Sequence, residues 1–201
     1  MNHECFVLVD PKTPLEIEWP LVQEVLEMLF HHILFHRALG GEVVAKERVL
    51  LDDLFYVQCN DQKIDKIVTA SAKAAATALK RQDGPGKVSL TFLETVSGGL
   101  WGDKKVPWEE WVLHVSVRTE PVFGQPEALL RRRELEGRLK KLMWQIHSLV
   151  NQRRSHLPKV NISSVSAICF PFEIKDPSTK EGVLDFLGRA VSSGAKVKVP
   201  L

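Results

Sequence analysis

The stretch from Trp19-Pro20 to Gly40-Gly41 sets the plan of this chain, because its apolar residues crowd more than one side of a helix. Val22, Val25, Leu26, Leu29, Ile33 and Leu34 recur at the spacing of one helical face, while Phe30 and Phe35 broaden that stripe. Pro20 suits a first helical turn, where a missing amide hydrogen is harmless, and the glycine pair ends the run. Such a helix has to be covered on more than one side, so the spacing predicts a central helix.

The other segments supply layers to cover it. Arg48 to Cys59 is rich in β-branched and aromatic residues, interrupted by Asp52-Asp53, and reads as strand, turn, strand. A second helix starts at Asn60 or Asp61, with Ile64, Ile67, Val68, Ala72, Ala75, Ala78 and Leu79 as its apolar positions, and Asp83-Gly84-Pro85-Gly86 terminates it. Its stripe is mostly alanine, which permits close approach to a neighbouring layer. Val88, Leu90 and Phe92 alternate with Ser89 and Thr91, and Trp111, Leu113, Val115 and Val117 alternate with His114 and Ser116, so both segments read as strands with one face on the core. Between them Glu94 to Pro107 reads as a long connection. A third helix runs from about Pro126 to about Arg153, with Leu135, Leu139, Leu142, Ile146 and Leu149 on one side and six basic residues crowding the rest of its first half. Ser164 to Ile174 reads as a strand, Lys180 to Ala190 as a short helix, and the tail over about 192–201 as loosely ordered. The order is that of an α+β fold, three main helices packed on a largely antiparallel sheet.

Length and charge narrow the class. The 201 residues are enough for one sizeable core and few for two, so a single domain over 1–201 is expected. A net charge of +2 is far from the imbalance of a protein devoted to nucleic acid or anionic membrane. Cys5, Cys59 and Cys169 are odd in number and sit in or beside apolar runs, which predicts buried free thiols. No stretch is apolar for the roughly 18 residues that cross a bilayer, and Met1 to Cys5 do not open like a signal peptide; a cytoplasmic protein is expected.

Reactive constellations are missing from the pattern. Gly98-Gly99 and Gly84-Pro85-Gly86 lack the spacing and the following Lys-Ser/Thr of a phosphate cradle. His31, His32 and His36 have no adjacent cysteine or intervening glutamate of the zinc-hydrolase type, and read as capping or hydrogen-bonding residues. No nucleophile has a local base beside it. No catalytic residue, cofactor or metal is expected. Two features remain. Leu100-Trp101 stands among glycines and charges, where an apolar pair can anchor a partner. Arg131, Arg132, Arg133, Arg138, Lys140 and Lys141 form a basic half-helix, balanced in part by Glu127, Glu134 and Glu136, which reads as a solvated face or, alternatively, a membrane- or nucleic-acid-binding one. Trp108, Trp111 and Trp144 fall on apolar faces and are expected in the core.

Several short motifs resemble the autophagy-related protein 101 family of HORMA-fold proteins. They are Phe35-His36-Arg37 with Gly40, Phe55-Tyr56-Val57, Val88-Ser89-Leu90-Thr91-Phe92, Val106-Pro107-Trp108-Glu109-Glu110-Trp111 and Leu157-Pro158-Lys159, of which Pro-Trp-Glu-x-Trp is the most specific. The resemblance implies a HORMA fold and a non-catalytic scaffold of the autophagy-initiating kinase complex. It implies pairing with, and stabilisation of, the HORMA domain of autophagy-related protein 13, and residence at the phagophore assembly site. It also implies a finger ahead of the Pro-Trp-Glu segment that recruits downstream factors. Here Trp101 stands where the finger's second aromatic would fall and Gly99 where its tryptophan would be, so Leu100-Trp101 is a reduced finger or marks a lost role. HORMA proteins of the checkpoint and chromosome-axis kind capture peptides under a C-terminal belt, but about 27 residues follow Ile174, short for a belt at about 3.3 Å per residue. A locked open form that works by dimerisation is therefore expected, with His36 and Arg37 at the heterodimer interface, where they can bond a partner's carbonyls.

Overall fold

A computed structural model describes residues 3–40, 43–51, 53–97, 102–120, 124–160 and 168–179. Strands β1 (Glu4–Val7) and β2 (Leu15–Glu18) precede a 3-10 turn, Trp19–Leu21, that leads into α1 (Val22–His36). Then come β3 (Ala45–Leu50), β4 (Leu54–Cys59), α2 (Gln62–Lys80), β5 (Gly86–Val96), β6 (Lys104–Arg118), α3 (Gln125–Gln152) and β7 (Phe172–Lys175). The sheet order is β1-β6-β5-β7, with β2 also on β6 and a separate β3-β4 ribbon. The expected α+β plan holds. Its antiparallel pairs are β5 with β6, β5 with β7, and β3 with β4, while β1 and β2 run parallel to β6.

The central helix is the expected one. Val22, Val25, Leu26, Met28, Leu29, Phe30, Ile33 and Leu34 are all fully buried, with His31 and His32 buried beside them. Burial on this many sides is what the double apolar stripe requires. The helix stops at His36, short of the glycines, because Arg37 leaves the helical conformation (φ −110°, ψ 16°) and turns its side chain inward. In α2, Asp61 is the N-cap and accepts from the amides of Lys63 and Ile64. Ile64, Val68, Ala72, Ala75, Ala76 and Leu79 are buried, whereas Ile67, expected on the same stripe, is exposed. It stands about 100° round from Val68.

The segment Glu94 to Pro107 is not a loop throughout. β5 continues to Val96 and β6 begins at Lys104, paired in register from Glu94↔Val106 to Val96↔Lys104. The ladder slips between Phe92, opposite Glu109, and Leu93, opposite Pro107, so Trp108 is the extra residue of a β-bulge. Proline, having no amide hydrogen to give, is tolerated at such an interruption. The bulge lets Trp108 meet Phe92 at 5.3 Å, Phe170 at 5.0 Å and His156 at 5.7 Å between ring centroids. Val88, Leu90, Phe92, Trp108, Trp111, Leu113 and Val115 are fully buried. The other face of these strands is also buried, at Ser89, Thr91, Glu110 and Val112, contrary to the one-sided expectation.

Three further expectations are corrected. Trp144 is 72% exposed, because at 100° per residue it lies nearly opposite Leu142 of the buried stripe. Cys5 is exposed and Cys169 half-buried, so only Cys59 is a buried thiol, with burial pushing its pKa up to about 11. The last strand starts at Phe172, eight residues after its expected start at Ser164. Residues 161–167, the expected helix 180–190 and the tail 192–201 lie outside the described residues.

Gly86 opens β5 where the strand meets the end of α2. A Cβ there would lie 2.4 Å from Leu79 Cδ2, 2.6 Å from Gln82 Oε1 and 2.8 Å from Pro177 Cγ. Gly86→Ala is expected to destabilise the fold by about 1–3 kcal/mol, the cost of overpacking a tight contact. Chemical denaturation compared with Gly84→Ser checks this, since Gly84 has open space around it and only its positive φ of 92° to lose.

Candidate functional site

The motif residues converge where α1 and α3 end. Glu109, on the core face of β6 two residues before Trp111, is fully buried and holds three partner side chains. Arg37 donates to it from Nε (2.9 and 3.1 Å) and Nη2 (2.7 Å), Trp111 donates from Nε1 (2.6 Å), and His156 Nε2 lies 2.7 Å from Oε2. This is a two-pronged guanidinium–carboxylate pair with the remaining acceptor sites filled, the condition under which a charge is tolerated away from water. The guanidinium also points Nη1 and Nη2 at the carbonyls of Val150 and Arg153, both at 3.4 Å. Those lie at the end of α3, whose last carbonyls have no helical partner, so the residue that ends α1 also caps a different helix. Arg37 is 2% exposed and directs these donors inward.

His36 sits one residue away at the half-buried rim. Its ring meets His32 at 4.5 Å, Phe35 at 5.9 Å and, across the helix gap, His147 at 5.3 Å. Trp144 stacks on His147 at 5.7 Å and 28°. A row of rings thus climbs from inside α1 to the open surface of α3. Burial lowers the His36 pKa, with the neighbouring His147 and Arg37 adding to it, so the ring stays neutral at ordinary pH.

His31 and His32 face different helices, and only His32 meets His36. His31 faces Asp65 of α2 at 3.9 Å, while His32 Nε2 lies 3.4 Å from the Met143 carbonyl of α3. Among the described residues no group of three His, Cys, Asp or Glu is placed to hold a metal. Leu100 and Trp101 lie outside the described residues, between the ends of β5 and β6.

Sequence reasoning missed Glu109, His156, Trp144 and His147. For Glu109 a signal existed: it stands two residues before Trp111, hence on the core face of the strand, and a carboxylate there demands a cation. For Trp144 the helical angle from Leu142 was the signal.

Comparison with known proteins agrees with the motifs. The family described as Autophagy-related protein 101 matches residues 14–164. The chain is similar to Autophagy-related protein 101 of Arabidopsis thaliana, 29% identical over 202 residues that cover 90% of this chain and 93% of the relative. It is also similar to Autophagy-related protein 101 of Schizosaccharomyces pombe, 27% identical over 180 residues, 88% of this chain and 91% of that one. The matched stretch runs from the start of β2 through the Arg37–Glu109–His156 cluster, and the chain belongs to the autophagy-related protein 101 family.

Proposed function

We propose that this chain is a non-catalytic HORMA scaffold, one domain over 1–201, that serves the autophagy-initiating kinase complex in the cytoplasm and at the phagophore assembly site. It pairs with and stabilises the HORMA domain of autophagy-related protein 13, and presents Leu100-Trp101 to recruit downstream factors. The observation that carries the pairing is the exposed Trp144, stacked on His147 beside His36. An open tryptophan costs hydration that a partner's surface recovers, and tryptophan is the residue type most often found to dominate binding. His36 offers a neutral ring to that partner, and Arg37 serves the same surface from beneath by fixing the ends of α1 and α3 against each other.

Titration calorimetry against the HORMA domain of autophagy-related protein 13 tests the reading. Trp144→Ala is expected to weaken binding by roughly 30-fold, the scale of an interfacial hot spot, and His36→Ala by several-fold. Trp101→Ala should leave the affinity unchanged. A wild-type chain that does not bind at micromolar concentration overturns the proposal.

A further inference from the structure

The geometry points to the first half of α3 as a surface that seats on an anionic phospholipid bilayer. Leu129 and Leu130 are 56% and 58% exposed, although the buried stripe of this helix begins only at Leu135. Leu130, Arg133, Gly137 and Lys141 follow one another at three- and four-residue steps, which puts them in one line along the outer face. Arg133, Lys140 and Lys141 are exposed. Over 125–141 six basic residues stand against three acidic ones. Two of those carboxylates are already engaged within the helix, Glu127 by Arg131 and Glu136 by Lys140, while Arg133 and Lys141 have no ion pair among the described residues.

The pairing of adjacent leucines with cations selects the partner. Nucleic acid would use the arginines but leave the leucines wet, whereas a bilayer takes leucine below the headgroups and leaves guanidinium and ammonium groups at the phosphates. A second copy of this face would bring like charges together. Leu130 lies fourteen residues from Trp144, about 21 Å along the helix, so the leucine end and the Trp144 end can be engaged at once. With a surplus of only three charges, the attachment is reversible and sensitive to salt.

The test is co-sedimentation of the full chain with phosphatidylcholine vesicles, alone or with about 30% phosphatidylserine, at about 50 and 300 mM salt, on either side of the screening regime. Binding is expected on the anionic vesicles only, and to fall at least about fivefold at the higher salt. Leu129→Glu with Leu130→Glu, and separately Arg133→Glu with Lys141→Glu, should each reduce it at least about fivefold, as removal of the apolar or the charged half requires. Circular dichroism matching the wild type, together with retained binding to the partner HORMA domain, separates this surface from the Trp144 surface, whose Trp144→Ala variant should still bind vesicles. Failure at low salt, equal binding to neutral vesicles, or variants that bind like the wild type would sink the inference. So would a single-stranded oligonucleotide that strips the protein from the vesicles, or loss of partner binding in the leucine variant.

Discussion

Glu109→Ala is expected to remove about 3–5 kcal/mol of folding stability, the usual consequence of deleting one member of a buried ion pair. The loss is large because three side chains are orphaned together. Arg37 keeps its charge in a site where it is 2% exposed, and the Trp111 and His156 rings lose their acceptor. Against a total stability of about 5–15 kcal/mol for a typical domain, the variant sits near the edge of folding. Urea denaturation reads the effect directly, and a second comparison isolates its origin. Trp111→Phe removes one hydrogen bond, about 1 kcal/mol, together with the packing lost where a fully buried indole shrinks to a phenyl ring. Glu109→Met combined with Arg37→Met removes both charges and should recover most of the loss. A double variant no more stable than Glu109→Ala would mean that shape, not charge, governs this site.

Acid is expected to produce the second large effect. Burial holds His31 at about 4, with Asp65 working against it and Arg48 adding to it. Burial likewise holds His32 at about 4, with His36 and His147 adding and the Met143 carbonyl opposing. Both folded values lie below the ordinary 6.5, so the unfolded chain takes up protons first. Stability is therefore full above about pH 6.5 and declines as pH falls toward about 4, by about 3 kcal/mol for each histidine. Denaturation midpoints across that range check the slope, and His32→Gln should remove about half of it. A midpoint that stays level from pH 7 to pH 4 would contradict the assignment of neutral, buried rings.

What the sequence disclosed followed from periodicity. The broad stripe of α1, the alanine face of α2 and the alternation around Leu90 and Leu113 each state which side is buried, because helical and extended chains repeat differently. What it withheld depended on contacts far along the chain. Arg37 and Glu109 are 72 residues apart, and nothing local marks Arg37 as a buried cation rather than a surface one. Length of strand was equally hidden, since Thr95, Val96, Lys104 and Lys105 pair without an apolar face to advertise it. Trp144 shows the converse: an apolar residue type suggests burial, whereas its angle on the helix places it outside.

The bulge at Trp108 also acts as a phase insulator. On its core side, inward residues follow the count through Glu109, Trp111 and Leu113; on its outer side the count restarts at Pro107 opposite Leu93. A register fixed at that point does not depend on how many residues close the hairpin beyond it. Insertions, deletions or substitutions between Val96 and Lys104 are therefore free to accumulate without turning a single core side chain to solvent. The arm is a cassette whose length can vary on a frame whose register cannot.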